Sequence, residues 1–158
     1  MKLLLVLAVW CPLAYGGDAL TPVEQAPAHQ LWVGSGFLTY HFDRDKDLNG
    51  KNTGIGVEYR FRGDLAATAG RFYDSDRSYS NYAGAIWQPV TIGPVRLGAV
   101  FAMFDGYPRV RNGGWFPAVI PMATLEYQRV GVNVGFVPSY KDRLYGGLSV
   151  QFKFKLVE

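Results

Sequence analysis

Cysteine is almost missing from this 158-residue chain, where Cys11 stands alone, and there are only two histidines. So few of either exclude a disulfide framework and a zinc cluster. Charge is sparse as well, at 18% of residues, with 16 Lys+Arg against 13 Asp+Glu. That mild, dispersed excess lacks the electrostatic footprint of a nucleic-acid binder, so no nucleic-acid partner is expected. The longest apolar run, Leu3-Leu4-Leu5-Val6-Leu7-Ala8-Val9, is too short to cross a bilayer as a helix. What is plentiful excludes disorder: 49% hydrophobic residues and 15% aromatics.

The apolar run follows Met1-Lys2 and precedes small residues at Ala14, Gly16 and Gly17, the layout of a secretory signal peptide. Residues 1–16 are therefore expected to be a signal peptide. Cys11 lies inside the apolar run after Trp10, out of place for lipidation, so the mature chain is expected to hold no cysteine. Residues 17–30 carry Pro22 and Pro27 without apolar periodicity and read as an extended leader.

From Leu31 onward the pattern has period 2. Ile55, Val57, Tyr59 and Phe61 alternate with Gly56, Glu58, Arg60 and Arg62, and Leu148, Val150, Phe152 and Phe154 alternate with Ser149, Gln151 and Lys153. Turn residues divide the chain into strands at 31–42, 53–62, 65–74, 81–91, 94–104, 116–127, 129–138 and 145–155. Each has about the length that a tilted strand needs to cross a bilayer. Links are alternately tight and long. The expected fold is an all-β, eight-stranded antiparallel up-and-down transmembrane barrel over residues 31–158. Aromatics near strand ends (Trp32, Tyr40, Phe42, Tyr59, Phe61, Tyr73, Trp87, Trp115, Phe116, Tyr127) fit interfacial girdles. A soluble lipocalin-like barrel has the same alternation with its apolar face inward. It would have to bury Glu58, Arg60, Gln88, Arg96, Asn133, Gln151 and Lys153 as a core, so the membrane barrel is favoured.

Several motifs fail. Asp43-x-Asp45-x-Asp47 opens like a calcium loop, but Leu48 and Gly54 stand where glycine and a bidentate glutamate belong. Gly34-Ser35-Gly36 lacks a nucleophile elbow's spacing, and Gly54-x-Gly56 lacks a dinucleotide loop's third glycine. No metal site and no cofactor is expected. One constellation remains: His41 ends the first strand and Asp74-Ser75 ends the third, and both strands run toward the long loops. Imidazole, carboxylate and hydroxyl on one rim suit acyl transfer, although Asp and Ser are also ordinary turn residues.

In this order the motifs resemble the outer-membrane lipid A palmitoyltransferase (PagP) family. The resemblance rests on Leu38-Thr39-Tyr40-His41-Phe42, Phe72-Tyr73-Asp74-Ser75, Ala83-Gly84-Ala85-Ile86-Trp87, Trp115-Phe116-Pro117 through Pro121-Met122-Ala123, Phe136-Val137-Pro138 and Val150-Gln151-Phe152-Lys153-Phe154. It implies an outer-membrane enzyme, monomeric and without cofactor, that moves an acyl chain from a phospholipid to lipid A. His41, Asp74 and Ser75 match the family's functional residues, and Pro121 and Pro138 match prolines flanking a lateral lipid gate. Three features depart from the family. Residues 18–30 have no counterpart of its amphipathic helix. Phe154 is followed by Lys155-Leu156-Val157-Glu158 instead of ending the chain. Ile86, on the same face as Gly84 and Tyr82, replaces a glycine at the acyl-pocket floor. That exchange implies an acyl chain shorter than palmitate. A non-catalytic barrel with a structural, adhesive or ligand-binding role is the alternative, and a soluble lipid carrier a third.

Overall fold

The computed structural model describes residues 19–23 and 28–158; the expected signal peptide lies outside them. Eight strands close on themselves: β2 (Gln30–His41), β3 (Lys51–Arg62), β4 (Leu65–Tyr73), β5 (Tyr79–Ile92), β6 (Val95–Phe104), β7 (Phe116–Tyr127), β8 (Val130–Val137) and β9 (Gly147–Val157). Each pairs antiparallel with its sequence neighbours, and β2 pairs with β9 to close the barrel. Part of the expected leader is a two-residue strand, β1 (Thr21–Pro22), which pairs with Thr91 and Val90. That segment of β5 runs beyond its last pairing with β4, at Trp87↔Leu65, so β1 caps an otherwise bare edge.

Three connections are two-residue hairpins: 63–64, 93–94 and 128–129. In two of them the first turn residue is left-handed, Gly93 at φ +54° and Gln128 at φ +53°. The loops 42–50, 74–78, 105–115 and 138–146 gather at the opposite end.

Alternation sorts the side chains. Ile55, Val57, Trp87, Phe101, Val119, Leu125, Phe136, Phe152 and Phe154 all face outward and exposed. Of the polar residues expected inside, Glu58, Arg60, Gln88, Asn133, Gln151 and Lys153 are buried and Arg96 is partly so.

Two girdle aromatics turn out to be internal. Trp32 is 1% exposed and Phe116 is 9% exposed. Trp32 belongs to a charged plug at the short-turn end, with the Lys153 ammonium 4.6 Å and the Arg60 guanidinium 5.7 Å from its ring. Lys153 bridges Glu58 (2.8 Å) and Glu126 (2.7 Å), and Arg60 also meets both carboxylates. Each buried charge thus has opposite charges beside it, the condition under which such charges are tolerated.

A bulge explains the orientation of β2. Its register shifts between Ser35 and Phe37 against both neighbours. Trp32 and Gly34 face inward before the shift, and Phe37, Thr39 and His41 face the interior after it. The even-to-odd switch needs Gly36, where a Cβ would lie 2.0 Å from the Asn52 carbonyl oxygen. Without the bulge, strict period 2 from Trp32 would point His41 outward.

Candidate active site

Above the plug the interior becomes apolar. A cavity of about 120 Å³ opens toward the long loops. Phe37, Phe72, Tyr82, Ile86, Val100, Phe104, Phe116, Ile120 and Met122 form its walls. His41, Ser75, Asp76, Tyr107, Arg143 and Tyr145 lie among the lining residues contributed from the loop end.

A chain of hydrogen bonds crosses the barrel under the cavity. Gln88 Nε2 donates to Thr124 Oγ1 (2.8 Å), Thr124 Oγ1 to Asn133 Oδ1 (2.8 Å), and Asn133 Nδ2 to Gln151 Oε1 (3.2 Å). Gln151 Nε2 continues to the Ser35 carbonyl at 2.9 Å. This belt separates the apolar chamber from the charged plug. Ile86, 5% exposed, packs just above it with Ala66, Val100, Ala102 and the partly buried Ile120 and Met122. Gly84 does not line the cavity; a Cβ there would lie 2.2 Å from the Phe101 carbonyl oxygen, so it allows β5 and β6 to approach closely.

At the rim, Asn49 organises the candidate residues. His41 Nε2 lies 3.2 Å from the Asn49 carbonyl oxygen. A carbonyl only accepts, so Nε2 carries the hydrogen and the lone pair sits on Nδ1. That Nδ1 is buried and has no hydrogen-bond partner among the described residues. Asn49 also binds the other loop: its N–H donates to the Ser75 carbonyl (3.0 Å) and its Nδ2 to the Asp74 carbonyl (3.1 Å). Asn52, 1% exposed, joins the same knot by donating to the carbonyls of Asn49 (3.2 Å) and Tyr73 (3.0 Å).

His41 and Ser75 therefore line one cavity, and the Ser75 hydroxyl makes no hydrogen bond among the described residues. Asp74 is different. Its Oδ2 accepts from Ser80 Oγ (2.6 Å), and its Oδ1 from the N–H groups of Asp76 (2.9 Å) and Ser78 (3.0 Å). No hydrogen bond joins this carboxylate to His41 among the described residues; the Asn49 carbonyl holds the imidazole instead. Burial keeps the Asp74 carboxyl above its ordinary range, partly offset by those three donors. Burial, then the Asp74 and Asp76 charges, pushes the Tyr107 phenol far up, so it stays a hydroxyl donor facing the cavity.

The wall is incomplete between β7 and β8. Their ladder runs only from Met122↔Gly135 to Tyr127↔Val130, although β7 continues upward through Phe116–Pro121. Pro121, outward and exposed, has no N–H to offer, and Pro138 ends β8 while lining the cavity.

No family model matches the sequence. A curated relative does match: the lipid A acyltransferase PagP of Laribacter hongkongensis (strain HLHK9), 31% identical over 115 residues. This chain is similar to PagP. The match takes in 64% of this chain and 55% of that protein, so the chain spans about half the length of its curated relative. An eight-stranded antiparallel barrel fits the PagP-like architecture expected from the sequence.

Asn49, Asn52, Tyr107 and the Gln88–Thr124–Asn133–Gln151 belt carry no sequence motif that marks them as site residues. Asn49-Gly50 is ordinary turn chemistry by residue type, and nothing local reveals that its carbonyl meets a histidine eight residues earlier.

Proposed function

We propose that the chain is an outer-membrane acyltransferase that moves a fatty acyl chain, shorter than palmitate, from a phospholipid to lipid A. The observation that carries this reading is an apolar chamber inside a barrel, lined at its loop end by a histidine whose Nδ1 has no partner among the described residues. The outward apolar surface suits lipid, and the similarity to PagP supplies the substrate classes.

In the reaction, His41 Nδ1 takes the proton of a lipid A hydroxyl as its oxygen attacks the ester carbonyl of the phospholipid. Ser75 donates to the developing oxyanion, and Tyr107 is a second donor within the same cavity. Collapse of the tetrahedral intermediate breaks the donor ester, and the departing lysophospholipid oxygen takes the proton back from His41. One ester forms and one is lost, with no cofactor. Asp74 contributes by holding the Ser75 loop, as a positioning residue.

Chain length follows from the floor. The apolar chamber is closed at depth on its short-turn side, where Ile86 is 5% exposed. Ile86 and the belt beneath it limit depth, Gly84 keeps the adjoining wall closely packed, and the Pro121–Pro138 gap is the lateral route for the donor's tails. The rival, a barrel that binds a small amphiphile without turnover, draws on the absence, among the described residues, of a hydrogen bond between His41 and the Asp74 carboxylate. Mass spectrometry of lipid A from cells making the wild type or His41→Ala separates them: an added acyl group only with the wild type supports the enzyme. Identical spectra from folded wild type and variant contradict it.

A further inference from the structure

Two loops bring cations to an aromatic ring carried by a third loop at the cavity mouth. Tyr145, between β8 and β9, lines the cavity. The Lys46 ammonium, from the β2–β3 loop, lies 5.7 Å from its ring centroid, and the Arg109 guanidinium, from the β6–β7 loop, lies 5.3 Å from it. Arg109 also donates to the Tyr145 hydroxyl at 2.7 Å, and Arg143 adds a third charge on the cavity lining. None of these three cations makes an ion pair among the described residues. Of the other loop arginines, Arg77 pairs with Asp47 and Arg111 donates to the Trp115 carbonyl, while Arg44 stacks on Tyr40, an exposed ring that does not line the cavity. Gathering like charges on one ring without a carboxylate is unfavourable until an anion joins them. Asp76 is on the cavity lining too, but it belongs to the β4–β5 loop with Ser75.

We infer that Lys46, Arg109 and Arg143 around Tyr145 form a binding site for the phosphoryl head of an amphiphile whose chain fills the apolar cavity. Arginine offers a fork of donors suited to phosphate oxygens, and Tyr145 holds one of those forks in place through its hydroxyl. The site rests on the acyl-cavity reading and adds to it a recognition element for the charged end of the substrate. Both candidate lipids, the acceptor with its sugar phosphates and the donor with its phosphodiester, share that chemistry.

The test uses the folded full chain in dodecyl maltoside micelles, with two NMR reporters: the Ile86 methyls for the cavity and Arg109 Nε–H for the rim. The added probes are dodecyl phosphate, dodecylphosphoglycerol and inorganic phosphate. The expected result is that a phosphorylated amphiphile shifts both reporters and displaces maltoside at least tenfold more effectively than a neutral dodecyl chain. That preference should vanish in the Lys46→Gln/Arg109→Gln double variant and weaken with salt. A monoester preference assigns the site to the acceptor's phosphate, and a diester preference to the donor's head. Ile86 signals that move while Arg109 stays still, or an unchanged preference in the double variant, overturn this inference alone. A response of Arg109 to inorganic phosphate as strong as to the amphiphiles marks a free-ion site and also overturns it. If no probe moves Ile86, the acyl-cavity reading fails and takes this inference with it.

Discussion

Replacing Ile86 by glycine is the sharpest way to ask what closes the cavity. The side chain is 5% exposed and packs with Ala66, Val100 and Ala102 just above the hydrogen-bonded belt. Its removal leaves room for roughly four more acyl carbons. At about 0.8 kcal/mol per buried methylene, those carbons are worth about 3 kcal/mol, or on the order of a hundredfold in chain preference. The same deletion costs about 2–5 kcal/mol of stability, as for other large-to-small changes in a packed interior, so folding is checked first by far-UV circular dichroism. Mass spectrometry of lipid A then compares wild type with Ile86→Gly. The expected outcome is a shift of the added chain toward longer species by up to four methylenes, with the belt setting the new limit. Two folded proteins that add the same chain, or that both add nothing, would refute the floor argument.

Four further perturbations probe the architecture and the site. Gly36→Ala forces a Cβ to 2.0 Å from the Asn52 carbonyl oxygen, so urea titration should show a loss of about 1–3 kcal/mol, as in overpacked interiors; an unchanged midpoint would deny the bulge its role in turning His41 inward. Lys153→Met leaves Glu58 and Glu126 sharing Arg60 alone, and a loss of about 3–5 kcal/mol is expected in the same assay; wild-type stability would mean the plug is not a coupled network. Asp74 titrates above its ordinary value of about 3.9 because burial outweighs its three donors. Its folded value being the raised one, its contribution is fully present below the unfolded pKa and is lost as pH rises through the folded one; a carboxyl ¹³C midpoint at or below 3.9 would overturn that balance. The ring ¹⁵N shifts of neutral His41 should mark Nε2 as protonated and Nδ1 as bare; the reverse tautomer would remove the base from the proposed reaction.

Much of this barrel can be read in one dimension because period 2 holds along most strands. Expected strand ends fall within two residues of the observed ones for all eight. The interior polar set emerged from the same alternation, since Glu58, Arg60, Gln151 and Lys153 occupy every second position on two strands. Legibility fails where the period slips or where partners are remote. Trp32 stands near a strand end, where a girdle aromatic is expected, yet it lies on the inward side of β2 ahead of the bulge. Phe116 resembles a girdle residue in sequence and instead belongs to an apolar upper chamber. The extent of the apolar chamber is not legible either: alternation marks which residues face inward, but not that the apolar ones gather between the Gln88–Thr124–Asn133–Gln151 belt and the polar knot of Asn49, Asn52 and Asp74 at the rim. For the site, the shared rim of His41 and Ser75 followed from strand direction, whereas Asn49 holding the imidazole did not, because a backbone carbonyl leaves no trace in residue identity.

Purified, detergent-folded wild-type protein incubated with phospholipid and lipid A shows directly whether an acyl group is transferred. Acylated lipid A and lysophospholipid should appear in equal amounts, with the transferred chain shorter than palmitate. Lipid A recovered unchanged, with no lysophospholipid released by protein shown to be folded, would contradict the proposed reaction.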